Sequence, residues 1–377
     1  MKMKMMPGFL LLLAMACTGG PDSRELAPSR TLVFKHGKIA GDPAPFQAIL
    51  DEFEREYPGV QVKDEILPST TDEQHQFYVI NLEGGSADFD VLAMDVIWVN
   101  EFAEAGWLRD LTHLLHPSER EDFFPGPLEA VTHDGRLYGI PWYIDAGVLY
   151  YRKDLLAKYG FPPPATWDDL VRTASHVLRR EPDLYGFIWQ GKQYEGLVCN
   201  ALEFLWSNGG EVVQGSRVII DSEANRDALA FMRDLIHRWR VSPELVGSST
   251  EEPTRHIFGK GKALFMRNWP YAWNIFAREG SPVRGKVGVA PLPHFPGGAS
   301  AAALGGWQLG VNRNSRHPEE ADLLVRFLTS SKSQKTLALS IGYKPTRRSL
   351  YRDEDLLRAQ PFISSLVAIF EHARARP

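Results

Sequence analysis

Between residues 31 and 106 two periodicities alternate along the chain, and no other feature restricts its fold as much. Thr31 to Phe34 is a short β-prone run. Pro45 then opens a segment with Phe46, Ile49, Leu50, Phe53 and Tyr57 on one helical face. Pro58-Gly59 stops it. Val60 to Ile66 alternates apolar and polar residues as a strand does, and Asp72 to Leu82 reads as a second helix, ended by Gly84-Gly85. Phe89 to Met94 is a continuous apolar strand, and a third helix carries Trp98, Phe102 and Ala105. The order β-α-β-α-β predicts an α/β fold with a parallel sheet covered by helices on both faces.

Beyond this stretch the order changes. His133-Asp134-Gly135-Arg136 predicts a hairpin turn. Tyr138 to Pro141 reads as a crossing segment, and Val148 to Tyr151 as a strand feeding a helix from Arg152 to Tyr159. Thr166 is placed to cap the next helix, with Asp169 as the reciprocal acid of a capping box. Helices are expected at Glu195–Trp206 and Glu223–Arg240, and short strands at Ala263–Met266 and Val287–Ala290; Ser315 to the end reads as mostly helical. A chain of 377 residues is long for one ordinary domain and fits two lobes of about 100–200 residues each. With 44% hydrophobic and 24% charged residues it is globular in composition, and a net charge of −5 provides no positive field for a nucleic acid.

Residues 1–16 read as a signal peptide. Lys2 and Lys4 precede a short apolar core, Phe9 to Ala14, which is far below the roughly 20 residues of a spanning helix. Met15-Ala16-Cys17 is similar to a bacterial lipobox, in which Cys17 would carry the lipid, although Ala14 stands where leucine is usual. An ordinary cleaved signal with an incidental cysteine is the alternative. Residues 17–30, polar and rich in Gly, Pro and Ser, suit a tether. If Cys17 is lipidated, Cys199 is left without a partner; it lies in an apolar helical stretch and is expected as a buried thiol. Motifs for a serine nucleophile elbow, a zinc site, a dithiol or a phosphate loop are missing from the sequence. His113 and His116 lie three apart without a third ligand nearby, so neither metal nor cofactor is expected. A glycosidase, which needs two carboxyls at a set separation, is the rival class to a binding protein.

The ten tryptophans and twelve tyrosines are a heavy aromatic load. Trp142-Tyr143 after Pro141, Trp269 to Trp273 around Pro270, and Trp307 after Gly305-Gly306 read as loop aromatics, where core packing explains them less well. A pyranose has an apolar C–H face and a rim of hydroxyls. Aromatic rings match the face, and carboxylates, amides and arginine match the rim.

Seven stretches in order carry a family resemblance. They are Phe89-Asp90-Val91 through Met94-Asp95-Val96 to Gly106-Trp107-Leu108, Tyr138-Gly139-Ile140-Pro141-Trp142-Tyr143, Leu149-Tyr150-Tyr151-Arg152-Lys153-Asp154-Leu155, Thr166-Trp167-Asp168-Asp169-Leu170, Trp206-Ser207-Asn208-Gly209-Gly210, Met266-Arg267-Asn268-Trp269-Pro270 and Gly305-Gly306-Trp307. Together they resemble the family-1 extracellular solute-binding proteins of ABC sugar importers. Gln190-Gly191-Lys192-Gln193-Tyr194-Glu195-Gly196 and Asn268-Trp269-Pro270-Tyr271-Ala272-Trp273 are similar to the trehalose/maltose-binding branch. The resemblance implies a maltose-binding-type fold of two α/β lobes joined by several hinge crossings, near Ile140, Val287 and Leu328. The first lobe would hold residues 31–139 and 288–328, and the second 140–287 and 329–377. Relatives of this branch usually continue past an Arg-Pro pair; after Arg376-Pro377 either the C-terminus is shortened or the sequence is a fragment.

The same resemblance implies the ligand contacts. Asp95, at the C-terminal end of a predicted parallel strand, would accept sugar hydroxyls, as open α/β sheets place ligands there; an N-cap is its ordinary alternative. Tyr143 and Asp145 would face the cleft. Trp269 and Trp307 would stack on sugar rings, and Gly306 would let backbone approach the ligand. Tyr194, Glu195, Asn268 and Arg376 would add polar contacts, with Asp42 as the acidic candidate of the Gly37–Pro43 loop. The implied partners are a di- or oligosaccharide and the permease subunits of an ABC transporter, with the receptor a monomer lipid-anchored at the periplasmic or extracytoplasmic face, without catalysis; a glycoside hydrolase or a non-transport sugar sensor is the alternative.

Overall fold

The structure, a computed structural model, describes residues 30–377; the expected signal peptide, Cys17 and all of the expected tether except Arg30 fall outside the described residues. Strands β1 (Arg30–His36), β2 (Val60–Ile66) and β3 (Val91–Asp95) are mutually parallel around β1. The helix Ala44–Glu56 connects the first two and buries Phe46, Ile49, Leu50 and Phe53, the stripe its spacing predicts. A small hairpin follows, β4 (Thr132–His133) with β5 (Arg136–Leu137). Asp134 and Gly135 both take positive φ at its turn, the conformation that suits a two-residue loop to strand twist.

The chain then enters β6 (Ile140–Ala146) and, after Gly147 alone, β7 (Val148–Arg152). Next come β8 (Tyr185–Ile188), the hairpin of β9 (Val213–Gln214) and β10 (Arg217–Val218), β11 (Ala263–Asn268), β12 (Val287–Ala290), β13 (Leu304–Val311) and β14 (Lys344–Pro345). Two main sheets result. The first has the order β14-β6-β13-β3-β1-β2 and the second β12-β7-β11-β8. The second is covered by the helix Trp167–Leu178, whose Thr166–Asp169 capping box forms as its sequence predicts. Trp167 stacks on Phe204 with ring centroids 4.0 Å apart and donates its indole N–H to Ser207. Thr166→Ala is expected to cost about 1 kcal/mol, the usual worth of an N-cap, read from the midpoint of denaturant unfolding.

Several expectations are corrected by the topology. Ile140 is not a crossing point: β6 runs as an inner strand of the first sheet from Ile140 onward. Pro141, which lacks an N–H for the ladder, is accommodated at the register shift between Trp307 and Gln308 of β13. The crossing falls at Gly147. Val287 lies inside the second sheet, and the chain returns to the first between Ala290 and Leu304. Leu328 ends a helix, Pro318–Leu328, packed on β13 and β6. Residues 329–377, expected in the second lobe, pack largely on the first sheet. There β14 pairs with β6, and Phe370 of the helix Ile363–Glu371 meets Phe124 and Tyr351. Only the tail comes back to the crossings, where the Arg374 N–H donates to Ala302 O at 2.9 Å and the Leu304 N–H to Arg374 O at 2.8 Å.

Candidate ligand-binding site

Where the two sheets face each other, their strand ends enclose a cavity of about 450 Å³. Register decides what the first sheet contributes. Trp307 of β13 lies directly opposite Asp95 of β3 on one side and Tyr143 of β6 on the other, while Gly305 lies opposite Asp145. Residues directly opposite share a face of the sheet. Asp95, Tyr143, Asp145 and Trp307 therefore line one wall, although Trp142-Tyr143 and Trp307 belong to strands and not to loops. The second half contributes Trp269, just after β11, and Tyr194 and Glu195 at the start of the helix Glu195–Ser207. Arg376 of the tail completes the enclosure.

Two candidates are not on the wall. Asn268 is fully buried behind it; its amide donates to Glu251 O and Thr254 Oγ1, and its Oδ1 accepts from the Trp269 N–H at 2.8 Å. Its role is to fix the backbone of Trp269. Asp42 is exposed and accepts from the Ala44 N–H at a helix start, while Gly37 to Gly41 supply the cavity lining from that loop. Gly306 lines the cavity, and the close contact between strands also calls for glycine there. Its φ is +115°, and a Cβ there would collide with Tyr143 O and lie 2.9 Å from Ile144 Cα. Gly306→Ala is expected to lower stability by about 1–3 kcal/mol, measured by chemical unfolding, because strained backbone is added to a clash between strands.

Trp269 is held on three sides. The Arg267 guanidinium lies 3.9 Å from the ring centroid and covers one face of the indole. The indole N–H donates to Glu251 at 3.3 Å, and Gly305 makes room for the ring edge. Trp269 lines the cavity, whereas Arg267 does not. Trp307 is set edge-on against Trp98, with centroids 5.6 Å apart. Tyr143 stacks on Tyr343 at 4.1 Å. Glu251, Glu252 and Arg255 at the start of the helix Glu251–Gly259, Thr71 and Gln74 of the helix Thr71–Glu83, Tyr271 and Tyr343 also line the cavity and were not among the candidates. Apart from Tyr271, which lies in the aromatic stretch from Trp269 to Trp273, no local pattern connects them to the site; they come together only through tertiary packing.

The electrostatics are dominated by burial. Arg376 reaches Asp95 and Glu195 at 2.5 Å each, joining a residue of the first sheet to one of the second half. Burial raises the Glu195 carboxyl, partly opposed by Arg376. Burial also pushes Asp145 up to about 7, against the pull of Lys344 and Arg267 and with a further push from Asp95. Burial lowers Lys344 to about 7, offset in part by Asp145. Five cavity-lining side chains keep a buried polar atom without a protein partner. These atoms are Thr71 Oγ1, Gln74 Oε1, Trp142 Nε1, Asp145 Oδ1 and Arg376 Nε. An unpaired buried polar atom is costly, so the cavity lining is complementary to a ligand bearing both donors and acceptors.

Two α/β halves meeting at such a wall define a two-lobed solute receptor of the maltose-binding type. The family model described as bacterial extracellular solute-binding protein matches residues 37–335, and the chain belongs to that family. A relative in Deinococcus radiodurans, named "Probable ABC transporter-binding protein", is 41% identical over 326 residues, which are 85% of this chain and 77% of that one. Maltose-bound MalE3 of T. maritima superposes with a TM-score of 0.88 at 45% identity, covering 92% of this chain and 89% of that chain. The GacH receptor of Streptomyces glaucescens, solved unliganded and with acarbose, gives a TM-score of 0.82 at 26% identity over 93% of this chain and 88% of that chain. Among the described residues no helix is long and apolar enough to cross a membrane.

Proposed function

We propose that this receptor captures a di- or oligosaccharide of the trehalose/maltose type outside the cytoplasm and delivers it to the permease of an ABC importer. The observation that carries this reading is the set of five unpartnered polar atoms around two indole platforms, Trp269 and Trp307. Indole faces suit the C–H faces of pyranose rings, and the unpaired donors and acceptors suit ring hydroxyls. A cavity of about 450 Å³ falls within the usual range for small-molecule sites. Relatives whose names state a ligand support the class: maltose for MalE3 and arabinooligosaccharide for a Bacillus subtilis protein.

Capture works by closure. A sugar touching Trp307 and Asp95 on one side and Trp269 on the other stabilises the closed form over open ones. We read the chain as a receptor and not an enzyme, since Asp95 and Glu195 are both committed to Arg376. Release of monosaccharide from maltose or trehalose by the purified chain would contradict this.

Sugar affinity is expected to depend on pH through Asp145. Its folded-state value lies above the unfolded one, so the ionised form costs stability; the cost is absent below about pH 4 and complete above about pH 7. A hydroxyl donating to the carboxylate offsets that cost, so binding favours ionisation. Affinity should therefore rise about tenfold from pH 5.5 to pH 8, as a charge-assisted bond replaces a neutral one. Dissociation constants for the same disaccharide at the two pH values test this, and a flat profile would remove Asp145 from the contact set.

The anchor is a lipid on Cys17, with the receptor acting as a monomer. Labelled palmitate should enter the wild type and not Cys17→Ala; equal label in both would exclude it.

A further inference from the structure

Glu203 and Arg267 form a buried pair behind the cavity, each 1% exposed. The Arg267 Nε–H donates to Glu203 Oε2 at 2.8 Å and Nη2 to Oε1 at 2.5 Å, a bidentate fork. Gln190 extends the network, accepting from Arg267 Nη1 at 3.3 Å and donating to Arg267 O at 3.0 Å. Such a pair is weak evidence for stability as such, because desolvation offsets its attraction. Its position is more informative. Both places where the chain passes between the sheets meet at Glu203.

At the first crossing, Gly147 presses against the pair. A Cβ on Gly147 would overlap Glu203 Oε1 and lie 2.8 Å from Arg267 Nη2. At the second, the Ala303 N–H donates to Glu203 Oε1 at 3.2 Å. The neighbouring residues Ala302 and Leu304 carry the tail through their bonds to Arg374, so the third strand of the hinge attaches at the same point. Arg267 also covers one face of the cavity-lining Trp269 while lying outside the lining itself.

We infer that the Arg267–Glu203 pair is the pivot of the cleft, with Glu203 fixing the crossings at Gly147 and Ala303 and Arg267 setting the Trp269 platform against that fixed point. Both are positioning residues, acting through Ala303 and Trp269. The inference rests on the closure reading for its effect on affinity, and on the structure alone for its effect on the hinge. Opening and closing rotate the lobes about a charged, bidentate contact that does not slide, so the platform keeps its place relative to the crossing strands.

The test is Glu203→Gln/Arg267→Met on the full chain, which removes both charges at nearly constant volume and so leaves the fold in place. Backbone amide exchange is followed in ligand-free protein, beside disaccharide affinity. Exchange at Ala303 should become about tenfold faster, as local opening is eased, and affinity should fall about tenfold or more. Unchanged exchange at Ala303 in the folded variant overturns the inference, as does unchanged affinity when the wild type binds normally. If the double variant does not fold, Glu203→Asp serves. It keeps the charge but withdraws the carboxylate by one methylene, and must also speed Ala303 exchange; protection equal to wild type overturns the inference. A wild type that binds no sugar would defeat the proposed function and leave the exchange result to decide the pivot.

Discussion

Arg376→Met is expected to weaken disaccharide binding by at least about a hundredfold while leaving the unfolding midpoint nearly unchanged. Removing one partner of a buried ion pair costs about 3–5 kcal/mol, because the other partner stays desolvated. Here the cost is doubled in kind. Asp95 and Glu195 would both lose their guanidinium, and both line the cavity. Opening the lobes rehydrates the two carboxylates, so the penalty falls on the closed form and not on the fold. A factor of a hundred corresponds to about 2.7 kcal/mol, below the full cost, which allows for partial hydration. Lysine at 376 should recover part of the affinity, since it supplies charge but only one point of contact in place of a fork. Titration and chemical unfolding of the same samples check the split. A variant that unfolds much more readily yet still binds tightly would show that Arg376 only ties the tail down.

Trp269→Ala is expected to lower sugar affinity by roughly thirtyfold or more, the range of aromatic hot-spot truncations of about 2 kcal/mol and above. Two losses add. The sugar loses an apolar face to stack on, and Arg267 loses the ring that covers it. Trp269→Phe retains a smaller face and should fall between the two, whereas a purely structural tryptophan would show its effect in unfolding and not in binding. The indole bond to Glu251 gives a further control, since Glu251→Gln keeps an acceptor for it and should retain most of the affinity.

Local pattern carried the first half of this fold well. The strands β1 to β3 and the helices between them follow from apolar spacing and from Gly and Pro punctuation, because each element there is consistent with its own periodicity. The capping box at Thr166 is equally local. What escaped was decided by distant partners. Strand β13 carries Gly305, Gly306 and Gly310 and reads as a loop, yet it is an inner strand of the first sheet. At Gly306 the neighbouring backbone comes too close for a side chain: a Cβ would collide with Tyr143 O and lie 2.9 Å from Ile144 Cα. Pro141 reads as the end of a crossing segment, yet it lies inside β6, opposite the register shift of β13.

The site divides along the same line. Asp95, Tyr143, Asp145, Trp269, Trp307, Tyr194, Glu195 and Arg376 were legible through family resemblance, and the structure gathers them around one cavity. Asp42 and Asn268 lie off the cavity lining, with side chains engaged locally at a helix start and beneath Trp269. Gln74, Glu251 and Tyr343 could not be read, since each reaches the cavity from a segment whose own sequence gives no sign of a ligand.

The most direct test of the central claim is calorimetric titration of the chain with maltose, trehalose, sucrose and glucose. Heat that saturates near one site per chain for a disaccharide, and is lost in Trp307→Ala, is the result the account predicts. A folded chain that gives no heat with any of these sugars would contradict it.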